Sequence, residues 1–363
     1  MALPRGVRSP KPMAAAAASA SPPQPRPGHM LVLGTGFVGR YVSQRLLAQG
    51  WRVSGTCTSP AKKTELEMLG MDASVFDATS SRCCFFFFFL LFLFFVPSES
   101  DKSPVLVLVP FSLTNLRSLQ DATHLLISIP PIPGIGDPLL SSHSNLQTTL
   151  SNSNLQWLCY LSSTSVYGDC GGAWVDEDHT VNPKTESVKL RYAAEKGWLN
   201  VIDDLDLSAF VFRLGGIYGP GRSAVDTIAK SKSLSRRQKS RESKQYTARI
   251  HVADICQAIL ASMSIRSARR IYNVVDDDPA PRSEVFAFAR SLVERKHPGL
   301  IMDSVVLPAT QDRIVAAEKR VSNARLKEEL GVKLLHPTYK SGLQSILDSW
   351  SVESSFSNRN VDV

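Results

Sequence analysis

Apolar residues in this chain fall into short runs separated by stretches with a helical period. The first run, His29-Met-Leu-Val-Leu33, has the length of a buried strand. Tyr41, Val42, Leu46 and Leu47 then recur at helical spacing, Gly50 is the stop signal, and 51–56 supplies a second strand. The same alternation predicts strands over 72–76, 124–129, 155–161 and 207–213, with helices over 113–119 and 138–150 between them. Pro130 and Pro131 close the fourth strand, because proline has no N–H to give to a ladder. Strands that alternate with helices predict an α/β fold built on a doubly wound parallel sheet.

The turn between the first strand and the first helix reads Gly34-Thr-Gly-Phe-Val-Gly39. A GxGxxG turn that leaves a strand and opens a helix is a dinucleotide-binding signature. Gly34 makes the tight turn, Gly36 lets a pyrophosphate approach the backbone, and Gly39 lets helix and strand pack closely. Phe37 and Val38 start the helix, whose free N–H groups and dipole favour the phosphates. The end of the second strand selects the cofactor. NAD sites place an acid there, whereas this chain has Thr58, Ser59, Lys62 and Lys63. Two hydroxyls and two cations suit a 2′-phosphate, so NADP is expected, with NAD as the alternative. Asp77, after the third strand, is a further candidate cofactor contact.

Composition bounds the rest. The chain has 363 residues, 43% of them apolar and 20% charged, enough for a packed core and too few charges for a disordered polyelectrolyte. The net charge of +8 is concentrated at the start: nine Lys or Arg precede the first acid, Glu65, and the remainder is near neutral. A basic surface belonging to the fold is therefore not expected, which argues against nucleic-acid binding. The six cysteines form no CxxC pair and no ligand spacing, so neither a zinc site nor a disulfide framework is expected. Residues 1–28 are Ala-, Pro-, Ser- and Arg-rich and acid-free, which reads either as a disordered leader or as a transit peptide to a plastid or other organelle. Without a transit peptide, a cytoplasmic location is expected.

The run Cys83-Cys-Phe-Phe-Phe-Phe-Phe-Leu-Leu-Phe-Leu-Phe-Phe-Val96 is shorter than the ~20 apolar residues of a membrane span, so no membrane association is expected. Phe and Leu codons are pyrimidine-rich. Residues 80–111 read best as a translated pyrimidine tract inserted into a surface connection, and as an aggregation hazard where translated.

Four stretches resemble the extended short-chain dehydrogenases/reductases, a family that includes sugar-nucleotide epimerases and dehydratases. They are Leu161-Ser-Ser-Thr-Ser-Val-Tyr-Gly168, Arg213-Leu-Gly-Gly-Ile-Tyr-Gly-Pro-Gly221, Arg249-Ile-His-Val-Ala-Asp254 and Tyr272-Asn-Val-Val-Asp276. The resemblance covers about 29–79 and 112–345 and is closest to atypical, epimerase-like members. It implies a catalytic Ser or Thr at Ser163 or Thr164, followed by a Tyr and Lys spaced YxxxK on the next helix. Aligned on Pro183 and Glu195, those two positions hold Ser187 and Arg191. A second register uses Tyr192 and Lys196. Tyr192 lies five residues on, roughly 140° around the helix and about 7.5 Å along it. The resemblance further implies Tyr167, Tyr218 and Arg249 as substrate-side residues. The cation-rich segment 222–249 would border the site. The glycine turn is one residue shorter than the family's usual TGxxGxxG.

These readings divide the chain into a dinucleotide-binding Rossmann domain (29–216 and 248–278), a smaller C-terminal substrate lobe (217–247 and 279–350) and a tail (351–363). The expected function is that of an NAD(P)-linked oxidoreductase or epimerase/dehydratase-like protein acting on a nucleotide sugar or similar phosphate-bearing small molecule, with a homodimer as the expected assembly. The alternative is a dinucleotide-binding redox sensor or scaffold without turnover, since the Tyr/Lys pair is missing in the first register.

Overall fold

The computed structural model describes residues 28–76, 117–141, 146–203, 205–229, 245–266, 270–301 and 318–350. The leader, the Phe-rich run, Asp77, most of the cation-rich segment and the tail lie outside these residues.

Seven parallel strands form the central sheet, in the order β10-β7-β5-β4-β1-β2-β3. They are β1 (His29–Leu33), β2 (Arg52–Cys57), β3 (Asp72–Val75), β4 (His124–Ile127), β5 (Trp157–Ser163), β7 (Ser208–Leu214) and β10 (Arg270–Val274). Along β1, Met30 and Val32 enter one hydrophobic cluster while Leu31 and Leu33 enter the other, because strand side chains alternate between faces. A strand buried on both faces must read as a continuous apolar run, which is why HMLVL lacks polar alternation. On the first face lie helix α1 (Phe37–Ala48), through Val38, Val42 and Leu46, and α8 (Val252–Met263), through Ile255 and Ile259. On the second lie Leu119 of α3 (Arg117–Asp121), Leu139 of α4 (Pro138–Ser141), Leu146 and Leu150 of α5 (Leu146–Ser151), and Ala194 and Trp198 of α6 (Glu186–Val201).

Ser59 and Pro60 set the start of α2 (Pro60–Met68): the Ser59 hydroxyl accepts from the Lys62 N–H, and proline at the first helical position gives up only an N–H with no partner in the helix. A separate hydrophobic cluster joins Val225 and Ile228 of α7 (Ala224–Ala229), Phe286 and Leu292 of α9 (Arg282–Lys296), and Leu343 and Ile346 of α11 (Tyr339–Asp348). Leu326 and Leu330 of α10 (Ala324–Leu330), by contrast, pack with α1 and α8 on the first face of the sheet.

Element boundaries differ from the sequence expectations where neighbours set them. β5 begins at Trp157, the residue that pairs with His124 of β4, rather than at 155. The polar segment 138–150 holds two helices, α4 and α5, rather than one. Two small parallel sheets were not anticipated. One pairs β6 (Trp174–Val175) with β11 (Arg320–Val321), and the other pairs β8 (Gly216–Tyr218) with β9 (Arg249–His251). Strands of two or three residues carry no periodicity to detect. Among the described residues, no helix is long and apolar enough to cross a membrane.

At the N-terminal edge of the sheet the His124 ring lies edge-on to Trp51 (4.9 Å) and tilted against Trp157 (5.7 Å). Burial lowers its pKa to about 4. The unfolded chain, with an ordinary histidine, takes up the proton first, so this contribution to stability is complete above about pH 6.5 and is lost as pH falls through about 4. Burial also raises the carboxyls of Asp137, Glu177 and Asp254, and these act in the opposite sense. The difference between wild type and His124→Phe, which keeps the ring stack, isolates the histidine. Thermal melts from pH 7 to 4 are expected to show wild type losing stability relative to the variant. Parallel pH profiles would show that His124 does not titrate this way.

Candidate functional site

β1 pairs with β2 on one side and β4 on the other, so consecutive connections leave β1 in opposite directions. The crevice beyond the C-terminal ends of β1 and β4 is the topological switch point of the sheet, where open α/β sheets bind ligands. The glycine turn lies there. Gly34 has φ +93°, a left-handed conformation that favours glycine, and its N–H donates to the Thr56 hydroxyl at 2.9 Å. The Thr35 hydroxyl donates to the Thr56 carbonyl at 2.8 Å. Thr35 and Thr56, which sequence reasoning passed over, thus fasten the turn to β2.

Gly36 is the N-cap of α1, with no side-chain cap and no acid in the helix's first turn. A Cβ placed on Gly36 would meet no atom within 4 Å, whereas one on Gly39 would lie 2.5 Å from the Gly34 carbonyl oxygen. The two glycines therefore serve different ends: Gly39 permits the packing of helix on turn, and Gly36 keeps space open above the helix N-terminus. Val38 is buried against the sheet. The Phe37 ring lies beside Gly219 and beneath the Arg222 guanidinium, 5.2 Å from its centroid.

At the end of β2, Thr58 and Lys62 are exposed. Lys63 pairs with Glu67 at 3.6 Å along α2, and the Ser59 hydroxyl is used as that helix's cap. Lys62 has no carboxylate partner among the described residues.

Beyond β5 the chain enters a single 3-10 turn, Thr164–Tyr167, capped by the Ser163 hydroxyl, which accepts from the Ser165 N–H at 3.2 Å. Thr164 is buried, and its hydroxyl donates weakly to the Leu214 carbonyl at 3.4 Å. On α6, Ser187 is exposed beside Thr185, and Arg191 is half-buried. Tyr192 packs with Val188 against Val166, Tyr167 and Val175, and the exposed Lys196 lies 4.7 Å above the Tyr192 ring.

Of the substrate-side candidates, Tyr167 and Arg249 have their polar atoms engaged by the protein itself, whereas the buried Tyr218 hydroxyl has no hydrogen-bond partner in the structure. Tyr167 is wholly buried: its hydroxyl donates to Asn273 at 2.8 Å and accepts from Arg213 at 3.0 Å. Arg249 is buried, lies 5.3 Å over the Tyr339 ring, and donates to the carbonyls of Asp278 (2.9 Å) and Ala280 (2.6 Å). Tyr218 is buried against Gly342, its phenol pushed up by burial and by the charges of Asp276 and Asp254.

Sequence reasoning missed the buried polar network behind these groups. Glu195 accepts from the Ser162 hydroxyl and from Arg213 Nη2 at 2.9 Å, Arg213 reaches Tyr167, and Tyr167 reaches Asn273. The Asn273 N–H donates to Glu177 at 2.7 Å. This ties β5, α6, β7 and β10 together directly beneath the Ser163–Thr164 turn. Arg213 stood inside a matching stretch and Glu195 was an anchor of the helix alignment, and their opposite charges were the signal that could have paired them. Among the described residues no cluster of three or more His, Cys, Asp or Glu is arranged to hold a metal.

The parallel seven-stranded sheet, with a glycine turn at its switch point and the Ser163–Thr164 turn beyond β5, defines the Rossmann-type fold of the extended short-chain dehydrogenases/reductases. No family model matches the chain. A solved structure of a functionally unknown conserved protein from Silicibacter pomeroyi DSS is 31% identical, covers 88% of this chain and 98% of its own, and has a TM-score of 0.64. This chain belongs to the same family as that protein. Protein YeeZ of Escherichia coli K12 is 25% identical over 245 residues, 67% of this chain and 76% of that protein. In fold, the chain is also similar to UDP-glucuronic acid 4-epimerase from Bacillus cereus, solved in complex with NAD. That likeness is 15% identical, spans 88% of this chain and 96% of the epimerase, and has a TM-score of 0.59.

Proposed function

We propose that this protein binds NADP(H) at the Gly34–Gly39 turn and acts as an oxidoreductase or epimerase/dehydratase-like enzyme on a nucleotide sugar or similar phosphate-bearing small molecule. The observation that carries the cofactor reading is Gly36: an uncapped helix N-terminus with open space above it, which a Cβ would fill. That cradle fits a pyrophosphate, since free N–H groups and the helix dipole favour an anion there. That an epimerase of similar fold was solved in complex with NAD supports a nicotinamide dinucleotide as the ligand. When bound, the nicotinamide supplies hydride transfer. Thr164, weakly engaged with Leu214, would turn its hydroxyl to a substrate oxygen and orient it. Arg191 stays protonated and would hold ribose or phosphate without exchanging a proton. Ser187 cannot supply a proton near neutral pH, so the acid differs from the family's tyrosine.

That departure favours a second reading, a dinucleotide-binding sensor without turnover. Fluorescence titration with NADPH, followed by incubation with a panel of UDP-sugars and chromatography of the products, separates the two. Binding with every sugar unchanged supports the sensor, and no binding overturns both.

Of the two lysines, Lys62 is the better candidate for the 2′-phosphate, since Lys63 is engaged by Glu67. Lys62→Ala is expected to weaken NADP about tenfold, roughly one charge-assisted hydrogen bond, and to leave NAD unchanged. Calorimetry with both cofactors measures this, and equal loss for both would remove Lys62 from the 2′-phosphate.

A further inference from the structure

Two cations of the 222–249 segment lie among the described residues, and their surroundings differ. Arg249 is buried, and its guanidinium is committed to the Asp278 and Ala280 carbonyls. Arg222 is exposed, and its guanidinium meets no carboxylate, carbonyl or hydroxyl among the described residues. It lies instead over the ring of Phe37, the first residue of α1.

The backbone that carries Arg222 is held in place. Gly219 and Arg222 exchange two backbone hydrogen bonds, of 3.1 and 3.0 Å, across a tight turn in which Gly221 has φ +78°. Gly219 seats that turn against α1 and α8: a Cβ there would lie 3.1 Å from the Phe37 ring and 2.6 Å from Val252. On the other side of Arg222, the Ser223 hydroxyl accepts from the Asp226 N–H at 3.2 Å and opens α7. A fixed backbone with an uncommitted charged side chain is preorganised for a ligand.

The place over Phe37 gives that ligand its identity. Helical side chains lean toward the helix N-terminus, so the ring of the first residue stands beside the open space above Gly36 and the unpaired N–H groups of the first turn. Arg40, also near the start of α1, is paired with Glu65, which leaves Arg222 as the uncommitted cation on this side of the turn among the described residues. A guanidinium packs on an aromatic face and still presents two parallel donors to a phosphate. We propose that Arg222 binds the pyrophosphate of the dinucleotide, an assignment that rests on the dinucleotide reading of the Gly34–Gly39 turn. The helix supplies N–H groups and a partial charge, and Arg222 supplies a full one. The pyrophosphate is common to NAD and NADP, so Arg222 adds affinity for both without choosing between them, in contrast to Lys62.

Calorimetric titration of the full chain with NADPH, NADH and ADP-ribose, for wild type, Arg222→Ala, Arg222→Met and Arg222→Lys, tests this. ADP-ribose carries the pyrophosphate without the nicotinamide. The Ala and Met variants are expected to weaken all three ligands by the same factor, about tenfold or more, the loss of a charge-assisted contact. The Lys variant should fall between them and wild type, since it keeps the charge and loses the fork. Arg222 is exposed, so melting temperatures should not change. Arg222→Met keeps an apolar side chain over Phe37, and wild-type affinity in that variant would overturn the proposal by showing that Arg222 acts through packing. A loss confined to NADPH would move Arg222 to the 2′-phosphate and overturn it as well. Unchanged affinity in the variants, with wild type binding, would overturn the Arg222 assignment alone, whereas a wild type that binds none of the three would remove the dinucleotide site and this assignment together.

Discussion

Glu195→Ala is expected to be among the most destabilising single substitutions in the chain. Glu195 is 1% exposed, and Arg213 beneath it is 3% exposed. The pair is bonded at 2.9 Å, with Ser162 and Tyr167 filling the remaining positions around it. Removing the carboxylate leaves a guanidinium in the core with no counter-charge, which costs about 3–5 kcal/mol. For a folded body of about 250 residues that is a fall in melting temperature of roughly 6–10 °C. The double variant Glu195→Ala/Arg213→Met should recover much of the loss, because a buried ion pair replaced whole by apolar groups is often neutral. Calorimetric melts of the single and double variants measure this, and an unchanged melting point for Glu195→Ala would show that the pair is not closed in solution.

That network also shows where reading the sequence stops. The β1–turn–α1 unit is legible because its signals are local: an apolar run, three glycines and a helical period lie within 20 positions. The Glu195 pairing is not, since its partners come from strands and turns elsewhere in the chain. Arg213 is 18 positions away, and the next link, from Tyr167 to Asn273, spans 106. Burial states were equally out of reach. Tyr167 and Arg249 read as substrate-side groups from their motifs, and only the packed fold shows their polar atoms engaged by Asn273, Arg213 and backbone carbonyls. The two lysines after β2 look alike in sequence, and they differ because only Lys63 has Glu67 one helical turn on. Tyr192 spells YxxxK with Lys196, but helix geometry had already placed it on another side of α6 from Ser187. It packs into the cluster of Val166, Tyr167 and Val175.

Gly36→Val is expected to abolish dinucleotide binding while leaving the fold intact. The Gly36 backbone is extended (φ −75°, ψ −156°), a conformation valine adopts freely, and its Cβ would enter open space. The structural cost is that of a poorer N-cap, about 1 kcal/mol or less. A pyrophosphate, however, must come within hydrogen-bond distance of the helix N–H groups, and a branched side chain over the N-terminus occupies that path. A loss of at least a hundredfold in NADPH affinity, ~2.7 kcal/mol, is the expected reading. Gly39→Val is the contrasting variant: its Cβ would lie 2.5 Å from the Gly34 oxygen and 3.0 Å from Val32, so melting temperature and binding should fall together. Fluorescence titration and thermal melts on both variants separate space kept for a ligand from space kept for packing. Unchanged affinity in Gly36→Val would place the dinucleotide elsewhere.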